Sequence, residues 1–241
     1  MNTGVKNLVQ SLLKTLALAL VMFTLFSCGN DSTTTSTSSD VRVIDAEITT
    51  LQLSFPSILK YSWAPWYADS LYRYMNEKTE LDTLFTTEVN RSDLHLLRCD
   101  NFNLLPTFQK KRFWILYMAS IAHAESGLNP NDTYREPTDG TLSSGLLQID
   151  RASANRHSTP YTGFVFTQND LFNPDLNLMA GLYILKHQLE GGISGERPDI
   201  RGRLFTNSSY YWSVLVYKRE MIVKTFTQNA RVNLPFCSIG G

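Results

Sequence analysis

The chain has 241 residues, with 22 basic (Lys and Arg) and 22 acidic (Asp and Glu) side chains, and is 43% apolar and 12% aromatic. That content is typical of a globular body rather than a disordered one. The balanced charge supplies no electrostatic reason for a nucleic-acid partner. Beyond the N-terminus no apolar run approaches the ~20 residues of a spanning helix.

Lys6 and Lys14 form a positive leader, followed by the apolar run Thr15 to Phe26, which is too short for a comfortable membrane span. The run ends in Leu25-Phe26-Ser27-Cys28, which is similar to the lipobox of bacterial lipoproteins. That resemblance implies a signal peptide over 1–27 and a lipid on Cys28, although Phe26 is bulkier than usual for its place. An ordinary secretion signal cut nearby is the alternative. The Ser/Thr-rich stretch that follows has nothing to bury, so 28–40 is expected to be a flexible tether. Gly29 is not the Asp associated with inner-membrane retention, so an outer-membrane anchor facing the periplasm is expected. The remaining ~200 residues suffice for one domain with a real core.

Val41 to Phe55 alternates weakly and predicts a short strand or extended arm. Between Trp63 and Leu97, apolar residues recur at spacings of three and four and predict two helices. Pro106-Thr107 opens a clearer helix, with Thr107 as its N-cap, running to about Glu125 before Gly127 and Pro130. A polar stretch from Asn129 to Ser144 precedes the short apolar run Gly145 to Ile149. Asn173-Pro174-Asp175 combines a cap, a first-turn proline and an acid near the positive end of the helix dipole; the helix it starts should end at Gly191-Gly192. A last helix is expected over Ser208 to Phe226. The fold class is mainly α (α+β), with a small β-hairpin in the middle.

On a 3.6-residue period Trp114, Met118, Ile121 and Glu125 share one face. A lone carboxylate ending an apolar stripe should be partly desolvated and its pKa raised. The negative end of the helix dipole pushes the same way. A carboxylic acid still protonated near neutral pH is the state a glycosidase acid needs. A glutamate turned to solvent at a frayed helix end is the bland alternative.

Three blocks in order raise the chemical reading: Glu125-Ser126-Gly127-Leu128-Asn129-Pro130, then Ser144-Gly145-Leu146-Leu147-Gln148-Ile149, then Asn173 to Leu185. Together they resemble, over Phe113 to about Leu189, the soluble lytic transglycosylase (SLT) family of the lysozyme superfamily; 106–241 is read as the catalytic region, and 41–105, outside the resemblance, as its helical extension. The resemblance implies a lysozyme-like fold with the hairpin at its cleft. It makes Glu125 the catalytic acid/base, and Gly145, Leu146 and Gln148 the cleft floor, with Ser144 beside them. Asn177 holds a helix against that floor. Ser126, Tyr134 and Glu136 are further candidates for substrate contact, Glu136 as a possible second carboxylate. The family's Ala-Tyr-Asn-Ala-Gly-like block has only Ser209-Tyr210-Tyr211-Trp212-Ser213 as an equivalent. Its tyrosine role is carried to Tyr210, with Tyr211 fitting almost as well.

The implied reaction is cleavage of the MurNAc-β-1,4-GlcNAc bond with formation of 1,6-anhydro-MurNAc, and no cofactor. A hydrolytic lysozyme on the same fold, or a non-catalytic peptidoglycan-binding lipoprotein, are the alternatives. His123 and His157 stand alone in the sequence, and no Cys/His spacing suggests a metal. The expected partners are glycan strands and the membrane, the protein itself being a monomer. In an oxidising compartment the two remaining cysteines, Cys99 and Cys237, are expected to pair.

Lipidation is open to direct test. Cys28→Ser should move the protein out of the membrane fraction or leave its signal uncleaved, and normal processing with unchanged membrane retention would count against the lipobox.

Overall fold

The apolar stretch after Pro106 forms the helix around which the other elements are arranged. A computed structural model describes residues 51–55, 60–137, 139–207 and 210–237. The leader, Cys28, the tether and 41–50 lie outside the described residues. In chain order the helices are α1 (Pro65–Glu77), α2 (Thr83–Thr86), α3 (Arg91–Leu96), α4 (Thr107–Ser126), α5 (Arg151–Thr162), α6 (Pro174–Glu190), α7 (Val214–Tyr217) and α8 (Arg219–Asn233). Between α4 and α5 lies an antiparallel sheet in the order β1 (Thr133–Arg135), β2 (Leu142–Ser144), β3 (Ile149–Asp150). Its register pairs Tyr134 with Ser143 and Ser144 with Ile149.

Helix α4 is buried on every side, not along one stripe: each residue from Phe113 to Ala122 has no exposed surface. Such a helix belongs inside a core. It packs against α8, α1 and α7, while α6 packs against α5 and α1. Pro106, not Thr107, occupies the N-cap position; Thr107 is the first helical residue and no side chain caps the end. Proline is suited to a helix start because its φ is already set and it has no amide to leave unpaired.

The segment from Trp63 to Leu97 forms three helices rather than two. A turn at Thr79–Leu81 follows α1, and Asn90 restarts the chain by accepting from the Ser92 amide at 3.0 Å to cap α3. Helix α1 is tied to α6 where Tyr74 Oη and Arg73 Nη2 both donate to Asp175 at 2.7 Å. Helix α5, which the apolar periodicity does not reveal, is capped by Asp150, whose Oδ1 accepts from Ser153 N at 2.9 Å. The last helix starts at Val214, not Ser208, breaks at Lys218 and continues to Asn233. The chain before it is not helical because Tyr211 and Trp212 turn inward to bond the cleft floor. His157 is not isolated: its Nδ1 lies 2.8 Å from Nδ1 of His187, and burial keeps both rings neutral by lowering their pKa to about 4.

Residues 51–55 run without regular structure along α8. Asn233 accepts from the Gln52 amide (2.7 Å) and donates to its carbonyl (3.0 Å); Asn229 does the same for Ser54, at 2.6 and 2.9 Å. Four residues apart on one face of α8, the two buried amides stand in for a neighbouring strand.

The floor of the cleft depends on two glycines. Gly145 has φ 80°, and a Cβ there would meet Leu171 O at 2.1 Å and Asn177 Nδ2 at 2.6 Å. On α6, a Cβ at Gly181 would lie 2.3 Å from Leu147 Cδ1, so this glycine lets the helix approach the floor.

Cys99 and Cys237 are joined, with Cα atoms 4.4 Å apart across a separation of 138 residues. Asn101 Nδ2 donates to Phe236 O at 2.7 Å beside the bond and fastens the same tail. A loop of this length corresponds to about 5 kcal/mol in the chain-entropy model, often less in practice. Denaturant melts of the oxidised protein and of a Cys99→Ser/Cys237→Ser variant should therefore differ clearly in midpoint. Coincident curves would show that the bond adds no stability.

Candidate active site

Helix α4 ends in two left-handed residues, Gly127 (φ 60°) and Leu128 (φ 67°). Their amides donate back to His123 O (3.1 Å) and Ala122 O (3.4 Å), a Schellman-type stop. The stop leaves Glu125 on the final turn and sends the chain into the hairpin. Lys218 reaches the same end from the α7–α8 break, its Nζ donating to Ala124 O at 2.6 Å.

Glu125 opens into a cleft of about 760 Å³. The hairpin side supplies Tyr134 and Glu136, the floor Gln148 and Asp150, and the other wall Tyr211 and Lys218. Burial pushes the Glu125 carboxyl up to about 8; Lys218 opposes that rise and the charge of Glu136 adds to it. Near neutral pH the side chain is therefore mostly a neutral acid able to give up a proton.

Of the residues singled out in the sequence, Glu125, Tyr134, Glu136 and Gln148 meet in this cleft. The others lie behind it. Ser126 Oγ is turned to Leu146 O (2.8 Å) and Ala122 O (3.1 Å), tying the helix end to the floor. Ser144 is fully buried and its Oγ accepts from Gln168 Nε2 at 2.8 Å. Leu146 is fully buried too, and Gly145 fills a space no side chain could share. Asn177 is inside the core: its Nδ2 donates to Ser144 O and Leu171 O, both at 3.0 Å, and its Oδ1 accepts from Leu147 N at 2.9 Å. These five hold the floor in shape and do not face the cleft.

Tyr211, not Tyr210, lies at the cleft. Its Oη accepts from Asp150 N (3.0 Å) and faces Gln148 O (3.3 Å) and Asp150 Oδ2 (3.2 Å), while Tyr210 sets its ring edge-on to His157 at 5.6 Å. Burial raises the Tyr211 pKa far above its usual value, so the phenol stays a neutral donor. Trp212 Nε1 donates to Leu147 O at 3.0 Å from a nearly closed position.

Asp150 and Lys218 are cleft residues that sequence reasoning missed. Asp150 carried a usable signal, an acid three residues before Ser153 at a helix start. Lys218 carried none, since its partner lies 94 residues away. Among the described residues no group of three or more His, Cys, Asp or Glu side chains could hold a metal ion.

Residues 107–197 match the model of the transglycosylase SLT domain, the family whose motifs the sequence resembles. The match takes in Glu125, the hairpin, the floor and α6, and covers less than half of the chain. Among solved structures, the chain is similar to DslA wild-type form 2, with 22% identity and a TM-score of 0.54 over 74% of this chain and 94% of that one. Two single Glu-to-Gln mutants of DslA give TM-scores of 0.55 and 0.53 at 22% and 23% identity, over the same shares. At these identities the likeness shows the fold: mostly helical, with a small antiparallel sheet. No curated protein sequence matches the chain.

The raised pKa of Glu125 has a consequence for stability. The folded protein holds this proton up to about pH 8, whereas the unfolded chain releases it near the ordinary carboxylate value of 4.5. The folded state thus binds more protons, and the contribution of this group is greatest below the unfolded pKa and is lost as pH rises through the folded one. Glu125→Gln cannot ionise, so its stability relative to wild type should grow between about pH 5 and pH 8. Equal pH dependence of the two proteins in urea melts would contradict the shift.

Proposed function

We propose that this protein is a peptidoglycan lytic transglycosylase that uses Glu125 as its single general acid/base. The SLT match supports a transglycosylase-type activity on peptidoglycan. The observation that carries the finer reading is the Glu125 carboxyl, held up to about 8 at the base of a polar cleft.

In this reading Glu125 donates its proton to the glycosidic oxygen between MurNAc C1 and GlcNAc. The C1–O bond breaks and the GlcNAc end leaves as an alcohol. The resulting carboxylate takes the proton from the MurNAc C6 hydroxyl, whose oxygen attacks C1 and closes the 1,6-anhydro ring. Glu125 is returned protonated and no water is consumed. Tyr211, a neutral phenol beside Gln148 and Asp150, takes the place of the family's tyrosine. Gln148, Tyr134 and Glu136 are the proposed substrate contacts. The lipobox-like Leu25-Phe26-Ser27-Cys28 supports export and anchoring on the periplasmic face of the envelope, with the tether giving reach toward the wall.

Hydrolysis on the same fold is the second reading. Glu136 and Asp150 share the cleft with Glu125, and either carboxylate could activate a water. The two glutamates replaced in the DslA mutants are eleven positions apart, as are Glu125 and Glu136 here.

Mass spectrometry of muropeptides released from purified sacculi separates the readings. Anhydro ends are expected; reducing ends would identify a hydrolase, and no release a binding protein. Glu125→Gln should lower turnover ~10²–10⁴-fold or more while the protein remains folded. Activity within about tenfold of wild type would overturn the assignment. Glu136→Gln should cost far less, and an equal loss would favour the two-carboxylate, hydrolytic reading.

A further inference from the structure

The reaction proposed for Glu125 requires the side chain to ionise and reprotonate in every cycle. Most of its surroundings resist the ionised form: the carboxyl is desolvated, it sits at the negative end of α4, and Asp132, Glu136, Asp139 and Asp150 line the same cleft. Lys218 is the one cation among the described cleft-lining residues. It stands at the break between α7 and α8, and its ammonium donates to Ala124 O, the carbonyl preceding Glu125, at 2.6 Å. A lysine at a helix end commonly satisfies an orphan carbonyl. Here that bond also moors the charge in the wall of the cleft that Glu125 lines.

We propose that Lys218 is a positioning residue for Glu125: moored on the Ala124 carbonyl, its ammonium is the fixed counter-charge that lets the carboxylate form and persist between the two proton transfers. The proposal rests on Glu125 being the acid/base. Lys218 opposes the effect of burial on Glu125 and helps keep His123, on the same helix, uncharged. Other titratable groups lining the cleft are the hairpin-side acids Asp132, Glu136 and Asp139, with Asp150 and the neutral phenol of Tyr211 on the floor side. Each of these acids, when ionised, raises the cost of a second negative charge; Lys218 lowers it. Removing the ammonium makes Glu125 a weaker acid. Its protonated form then survives to higher pH, and the first proton transfer slows.

The test is the pH profile of sacculus digestion by the purified protein for wild type, Lys218→Gln, Lys218→Arg and Glu125→Gln. Lys218→Gln should move the alkaline limb of kcat/KM up by about one pH unit, in line with loss of a neighbouring opposite charge. Its plateau kcat should fall by about tenfold or more, and Lys218→Arg, which keeps the charge, should restore the limb. Lys218→Met keeps the apolar stem and serves the same purpose if the Gln variant does not fold. A folded, charge-free variant that melts at lower temperature but keeps the wild-type limb would overturn the proposal and reduce Lys218 to a helix cap. If Glu125→Gln retains activity, the acid/base reading itself fails; if Glu125→Gln is inactive and the limb does not move, only the role of Lys218 fails.

Discussion

The side chain of Asn177 makes three hydrogen bonds in a place water does not reach, and the shape of the cleft depends on them. A buried amide left without partners costs roughly 1–3 kcal/mol per group, so the arrangement has few neighbours in energy. Through this one residue α6 grips the end of β2, the turn that follows and the segment before α6. Gly145 is required because the grip leaves no room for a Cβ. Gly181 is required because α6 must come close enough for the amide to reach.

The floor is held from other directions as well, one carbonyl at a time. Leu146 O accepts from Ser126 at the end of α4, Leu147 O from Trp212, and Gln148 O faces the hydroxyl of Tyr211. Three consecutive carbonyls thus answer to partners from two separate parts of the chain, while the Leu147 amide answers to Asn177. Gln148 takes a left-handed backbone (φ 46°), a conformation that a side chain tolerates only when the surroundings hold it. Such a floor fixes where Glu125 and Gln148 stand relative to each other without either having to be rigid alone.

Against that rigid frame the electrostatics are finely opposed. Burial favours a neutral Glu125 and makes it a usable acid near neutrality, but a group that could never ionise could not act as a base. The opposition between desolvation and the Lys218 ammonium places the carboxyl between those limits. The cost appears in stability, because an ionised carboxylate at a desolvated helix end weakens the folded state as pH rises.

Much of this was legible in the sequence where the cause is local. Asn173-Pro174-Asp175 starts α6 and Gly191 ends it because caps, a first-turn proline and a left-handed glycine act within a few residues. Glu125 stood out as a candidate because the Glu-Ser block, the Gly-Leu-Leu-Gln segment and the Asn-Pro-Asp block occur in order, and it lines the cleft. Its desolvation was anticipated too, but for an incomplete reason: α4 has no single apolar stripe, since the helix is enclosed by α1, α2, α7 and α8 among its neighbours. The tertiary structure alone decided between Tyr210 and Tyr211, because adjacent residues in an irregular segment point in different directions and no period assigns them. It moved Ser126 and Ser144 from the cleft surface to its supports, since a polar side chain reads the same in sequence whether it meets substrate or a carbonyl behind the wall. Lys218 reached the end of α4 only through the packing of α7 and α8 against that helix, and its bond to Ala124 O spans 94 residues that no local pattern encodes.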